Sequence, residues 1–130
     1  MKTEILYLVW VTLLTALLWL PYVLDRFMVW GIADTVGYPA NPKPQSPWAQ
    51  RLMAAHANAV ENLVVFAALV LAAQVAGVSN DATVMAAKLY FWARVVHAAA
   101  YTAKVPWVRT LAFLGGFAAQ MMLAWQLLAR

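Results

Sequence analysis

Four long hydrophobic stretches, separated by polar breaks, dominate the chain. A helix needs about 20 predominantly apolar residues to cross the hydrocarbon core of a bilayer. We therefore predict four membrane-spanning helices, over about residues 5–24, 49–76, 82–103 and 107–128. A secretory signal peptide is the competing interpretation of the first stretch, but its apolar run is too long and no small-residue cleavage site follows it.

The breaks between these stretches differ in length. GVSND (77–81) and KVP (104–106) are short and typical of turns, so the helices they join should be antiparallel neighbours. Residues 28–48 contain four prolines and two glycines, and we predict a loop across one membrane face rather than a membrane helix. This loop is either a lid over a site or an interfacial connector anchored by Trp30, Tyr38 and Trp48.

Composition supports a small integral membrane protein of the all-α class. Of the 130 residues, 65% are hydrophobic and only 11% are charged, which is too apolar for a soluble domain. The length allows a single domain, residues 1–130, and the absence of cysteine excludes disulfides and thiolate metal sites. The net charge of +4 comes from basic residues near the ends of the stretches, which favours a role in membrane orientation over nucleic-acid binding.

The basic residues also predict an orientation. Five of them flank the first and third loops and three lie on the opposite side, so loops 1 and 3 should be cytoplasmic. The first group is Arg26, Lys43, Arg51, Lys104 and Arg109, and the second is Lys2, Lys88 and Arg130. With no transit peptide in evidence, we expect a multi-pass protein of a bacterial inner membrane.

Two polar stripes run through the second and third predicted helices. At about 100° per residue, Arg51, Asn58, Glu61 and Asn62 share one face of the second helix, and His56 points elsewhere. The third helix carries Tyr90, Arg94, His97, Tyr101 and Lys104 on one face by the same rule. At about 1.5 Å per residue, the two stripes reach the same depth in the cytoplasmic half of the bundle, near the start of the fourth helix at Arg109.

Each polar residue also has a structural explanation. Lys104 can extend to the headgroups, and Asn58, Asn62 and His56 can form hydrogen bonds between helices. We predict an ion pair between Glu61 and Arg94, because a charge in hydrocarbon persists when it is paired. Taken together, however, four cations around one carboxylate leave a positive field that favours an anionic ligand. A metal site is not expected, because His56 points away from Glu61.

Both stripes resemble a known family. The segment from Arg51 to Phe66, RLMAAHANAVENLVVF, is similar to the R-x-x-x-A-H-x-N-x-x-E-N-x-x-x-F signature of the MAPEG proteins (membrane-associated proteins in eicosanoid and glutathione metabolism). A second block, Arg94-x-x-His97-x-x-x-Tyr101 followed by Arg109, resembles the third-helix motif of that family and its later arginine. The resemblance covers all four stretches in the right order.

The resemblance implies a left-handed four-helix bundle that assembles as a homotrimer and binds glutathione between subunits near the cytoplasmic face. By that resemblance, Arg109 would stabilise the glutathione thiolate as the catalytic residue. The remaining glutathione-binding residues would be Arg51, His56, Asn58, Glu61, Asn62, Arg94, His97 and Tyr101. A cation beside the sulfur lowers the thiol pKa from about 8.5 and supplies a nucleophile at neutral pH. The implied activity is a transferase or peroxidase that acts on lipophilic small molecules from the membrane.

Two other functions stay open. The chain has Ala54 and Ala57 where several family members carry arginines that grip glutathione carboxylates, which favours a non-catalytic scaffold for a lipid-like or anionic ligand. A small transporter with Glu61 as a proton-coupled carboxylate is less favoured, because nearby cations keep a carboxylate ionised.

Overall fold

The computed structural model describes residues 1–129 of the chain, and every regular element in that range is an α-helix. The fold is therefore all-α, as the sequence predicts. The helices are α1 (Thr3–Leu17), α2 (Trp19–Val36), α3 (Pro47–Ala76), α4 (Asp81–Thr102) and α5 (Pro106–Leu128).

The first helical region is longer than the sequence predicts. Helices α1 and α2 follow each other with one intervening residue, Leu18, which keeps helical dihedral angles. Pro21 lacks the amide hydrogen that would bond to the carbonyl of Leu17, which explains the interruption at this point. The prediction of a loop over 28–48 was wrong at its start, because the helix continues to Val36 with one break at Gly31 (φ 81°). All four prolines of that segment follow Tyr38, so residues 28–36 contain none that would stop a helix.

Within residues 1–129, three segments are long and apolar enough to cross a membrane, namely Thr3–Val36, Pro47–Ala76 and Pro106–Leu128. Helix α4 has 22 residues but does not belong to this group, and it carries Asp81, Lys88 and Arg94. The described part of the chain is thus that of an all-helical integral membrane protein with three candidate spans.

The bundle core lies between α1, α3, α4 and α5. Its largest fully buried side chains are Phe66 of α3 and Tyr90 of α4, whose rings stack with centroids 3.9 Å apart and planes 5° apart. Stacking of this kind adds about 0.5–1.5 kcal/mol to the burial of the rings. The surrounding buried residues are Val11, Val70, Ala86, Ala87, Ala119 and Leu123. Helix α4 packs most extensively against α5, and small side chains at their contact, such as Gly115 facing Ala93, keep the two helices close.

Buried carboxylates fix both ends of the bundle. At one end, Glu4 accepts hydrogen bonds from Ser79 Oγ (2.6 Å) and Thr83 Oγ1 (2.8 Å), which joins the start of α1 to the start of α4. At the other end, Asp25 of α2 accepts hydrogen bonds from the backbone N–H and the hydroxyl of Ser46, the residue that precedes α3. A carboxylate at a helix N-terminus satisfies amides that have no partner within the helix. This contact joins α2 to the residue that precedes α3, the helix that carries Asn58 of the candidate site.

Candidate functional site

Four of the predicted site residues line one cavity of about 340 Å³, at the surface formed by α3, α4 and α5. They are Asn58 from α3, His97 and Tyr101 from α4, and Arg109 from α5. Thr110 and Phe113 of α5 complete the lining. Arg109 reaches this position because α5 starts at Pro106 after a connection of only three residues, which keeps its first turn beside the last turn of α4.

Aromatic rings organise the wall of this cavity. The guanidinium carbon of Arg109 lies 4.8 Å from the ring centroid of Tyr101, within the range of a cation–π contact. Tyr101 in turn meets His97 edge to face, with ring centroids 5.6 Å apart. These contacts hold the arginine near a face of α4 that carries other polar groups. The cavity therefore combines one cation with a phenol, an imidazole and an amide.

Arg94 is buried below this wall and is 3% exposed. Its Nη2 donates a hydrogen bond of 2.7 Å to Oδ1 of Asn58. Asn62 donates to the same oxygen (3.2 Å) and to the Asn58 carbonyl (2.9 Å), and Gln120 of α5 donates to the Asn62 carbonyl (3.1 Å). One chain of polar contacts therefore links α4, α3 and α5 and orients Asn58 at the edge of the cavity.

Several buried polar atoms of α4 have no hydrogen-bond partner within residues 1–129. They include the Tyr90 hydroxyl, Nε of Arg94 and Nδ1 of His97. Buried polar groups in proteins are hydrogen-bonded in the great majority of cases, so unpaired atoms require an explanation. Here they follow the polar stripe of α4 that leads to the cavity.

The predicted ion pair between Glu61 and Arg94 was wrong. Arg94 bonds to Asn58 instead, and within the described part of the chain it forms no ion pair with Glu61, whose side chain is exposed on the outer face of α3. Asn58 lies one turn closer to the start of α3 and reaches the guanidinium first. A glutamate exposed on an apolar helix is costly in lipid.

Arg51 lines a second cavity, of about 290 Å³, that adjoins the first. Both cavities share Tyr101 and Arg109, and Lys104 also lines the second one. The Nε of Arg51 donates a hydrogen bond of 2.9 Å to the carbonyl of Thr102, so α3 holds the end of α4. Lys104 adopts a positive φ of 62° in the turn between α4 and α5. Three cations thus surround this end of the site.

His56 lies away from the cavity, as its angle on the helix predicts. Its Nδ1 is hydrogen-bonded to the Tyr22 hydroxyl at 2.8 Å, which ties α3 to α2. The contacts of Tyr22, Asp25 and Gln45 were not predicted, and Gln120 was given no specific role, because each of them bonds to a distant segment of the chain. The available signal was an acidic residue directly at the end of an apolar stretch, namely Asp25.

Asn58, His97, Tyr101 and Arg109, which come from both motif blocks, thus line one cavity, whereas His56 and Glu61 lie outside it. The family model of the MAPEG family matches residues 7–129. The chain belongs to the MAPEG family. Comparison with curated proteins and with solved structures gave no significant match. The match covers nearly the whole chain and confirms the resemblance found in the two motif blocks; the MAPEG family includes glutathione transferases and related membrane proteins.

Proposed function

We propose that this chain is a membrane-bound glutathione-dependent transferase or peroxidase that acts on lipophilic electrophiles. The observation that carries the proposal is the cavity in which Arg109 meets Asn58, His97 and Tyr101. Glutathione is anionic and rich in hydrogen-bonding groups, and this cavity offers a cation and several polar side chains. The unpaired Nε of Arg94 and Nδ1 of His97 fit a polar ligand that approaches the same stripe of α4.

In this proposal, Arg109 acts on the glutathione sulfur. A guanidinium beside the thiol favours the ionised form and lowers its pKa, so more thiolate is present at neutral pH. In conjugation, the thiolate forms a bond from sulfur to carbon of the electrophile, and the leaving group departs with its electron pair. In peroxide reduction, two glutathiones are oxidised to the disulfide while the peroxide is reduced to an alcohol and water.

The other predicted site residues bind and orient the peptide. Asn58 is held by Arg94 and Asn62 and presents its amide at the cavity edge. Arg51 and Lys104, which line the adjoining cavity, are suited to a glutathione carboxylate in place of the arginines replaced by Ala54 and Ala57. His56 remains a predicted glutathione residue, although its contact with Tyr22 assigns it first to the joining of α2 and α3.

We also infer that the functional unit is a homotrimer of left-handed four-helix bundles. The exposed Glu61 supports this, because a second copy of the chain can cover it and can contribute it to a site between subunits. Helix α4 then serves as the fourth span, with 22 residues and a length of about 33 Å. The bundle would lie in a bacterial inner membrane with the loops after α2 and α4 in the cytoplasm. Native mass spectrometry should give an assembly of three chains of 14.4 kDa.

Calorimetric titration of glutathione into the detergent-purified protein tests the function, together with an ultraviolet scan for thiolate absorbance. We expect saturable binding and a thiolate band in the natural chain, no band in Arg109→Ala, and a weaker band in Arg109→Lys. Lys88→Ala is the matched control, because Lys88 is an exposed cation of α4 that lines neither cavity. No binding at millimolar glutathione would reject the transferase proposal and favour a non-catalytic scaffold for an anionic ligand.

A further inference from the structure

An open apolar groove of about 530 Å³ lies between α2, α3 and α4, at the end of the bundle where α3 begins. Its walls are mainly apolar, and they include Pro21, Leu52 and Ala99. Arg51 is the only charged side chain in the lining within residues 1–129. This groove is separate from the cavity that contains Asn58 and His97, and the proposed function assigns it no role.

Arg51 joins the groove to a cluster of cations. It lines the groove on one side and, on the other, the cavity of about 290 Å³ that also contains Lys104 and Arg109. In the part of the chain that the structure describes, no carboxylate lines either space. The apolar groove thus meets, at Arg51, a cavity lined by three cations and, among residues 1–129, by no carboxylate.

The geometry of Arg51 differs from that of a side chain that only extends into the headgroups. Its Nε donates to the Thr102 carbonyl at 2.9 Å, which fixes the guanidinium at the junction of the two spaces. The terminal nitrogens of Arg51 form no hydrogen bond within residues 1–129, and a guanidinium binds phosphate with two parallel hydrogen bonds. Trp48 lies in the groove lining, and tryptophan is enriched at the depth of the lipid headgroups.

We propose that this junction is a binding site for an anionic phospholipid. One acyl chain would occupy the apolar groove, and the phosphate would lie between Arg51 and Lys104. Basic pockets between membrane helices bind anionic headgroups in this way. A phosphate and a glutathione carboxylate would compete for Arg51. Lipid binding should therefore be measured without glutathione. The result then does not depend on the proposed enzymatic activity.

Native mass spectrometry of the full chain in detergent tests the site. The protein is incubated with equal amounts of dioleoyl phosphatidylglycerol and dioleoyl phosphatidylcholine, and the fraction of protein ions that retain each lipid is measured. We expect several-fold greater retention of the anionic lipid. Equal retention of the two lipids would overturn the proposal, because it would indicate contact with bulk lipid only.

Variants separate the charged and the apolar halves of the site. Arg51→Gln and Lys104→Gln should each reduce the preference for phosphatidylglycerol, whereas Lys88→Gln, on an exposed face of α4, should retain it. Ala99→Phe should fill the groove and reduce retention of the lipid, whereas Ala72→Phe, at an exposed position of α3 outside the groove, should not. Two results would contradict the proposal, namely an unchanged preference in both charge variants or unchanged retention in a folded Ala99→Phe protein.

Discussion

Arg94 and Asn58 form the only hydrogen bond between α3 and α4 within residues 1–129 that involves a buried charge, at 2.7 Å. The arginine is 3% exposed, and its Nε has no partner in that part of the chain. A buried cation with a single neutral acceptor depends strongly on that acceptor, because loss of a hydrogen bond to a buried charge leaves the charge uncompensated. The contact therefore serves both the stability of the bundle and the shape of the candidate site.

Removal of the Asn58 side chain should destabilise the protein. In Asn58→Ala we expect a loss of about 2 kcal/mol and a lower midpoint of thermal unfolding in detergent. Asn58→Asp keeps an oxygen acceptor and adds a charge opposite Arg94, so its midpoint should equal or exceed that of the natural chain. The midpoints can be compared by circular dichroism, and an unchanged midpoint in Asn58→Ala would show that Arg94 does not depend on this contact.

The sequence could predict that the polar faces of α3 and α4 meet, but not that Arg94 bonds to Asn58. Helical periodicity identified the polar faces of α3 and α4, and rise per residue brought Asn58, His97, Tyr101 and Arg109 to one depth. Periodicity does not determine how two helices rotate toward each other, and the choice of Asn58 over Glu61 depends on that rotation. Charge pairing favoured Glu61, yet the shorter amide reaches Arg94 in the structure.

The end of the first helical region was also difficult to predict from the sequence. Composition over 28–48 predicted a loop because prolines and glycines were counted over the whole segment. Their positions are more informative, because residues 28–36 lack proline and remain helical apart from Gly31. The contacts of Asp25 and Tyr22 join residues 21 and 34 positions apart, and no local pattern in the sequence reveals such partners.

Arg109 should determine the pH dependence of any glutathione-dependent turnover. A cation stabilises the thiolate and lowers the thiol pKa, so removal of the cation should move the acidic limb of the kcat/KM profile to higher pH. We expect a shift of about one pH unit in Arg109→Ala, equivalent to about 1.4 kcal/mol, and a smaller shift in Arg109→Lys. Stopped-flow rates with a chromogenic electrophile between about pH 6 and pH 9, a range that includes the thiol pKa of about 8.5, provide the profile. If the acidic limbs of the kcat/KM profiles coincide in all three proteins, Arg109 does not stabilise the thiolate.

The hydrogen bond between Tyr22 and His56 should couple the effects of substitutions at these two residues on the free energy of unfolding. Tyr22→Phe removes the hydroxyl and His56→Phe removes the ring nitrogen, so each should cost about 1 kcal/mol of stability. Because both changes remove the same contact, the double variant should lose little more than the larger single loss. Unfolding midpoints of the four proteins complete the cycle. Fully additive losses would indicate that the contact contributes nothing and would leave His56 available for a ligand.

The carboxylate of Asp25 should hold the loop after α2 against the start of α3. It accepts hydrogen bonds from the backbone and the hydroxyl of Ser46 and from Nε2 of Gln45, and Gln45 also accepts from Arg26. In Asp25→Ala these donors lose their acceptor at a buried position, so residues 37–46 should open more often and expose their amides. We expect faster hydrogen–deuterium exchange and faster proteinase K cleavage in that segment, with α4 and α5 unchanged. Asp34→Ala is the matched control, since Asp34 is an exposed aspartate of the same helix. Equal exchange in the two variants would mean that the loop is held by its prolines and by the bond from Trp30 to the Lys43 carbonyl rather than by Asp25.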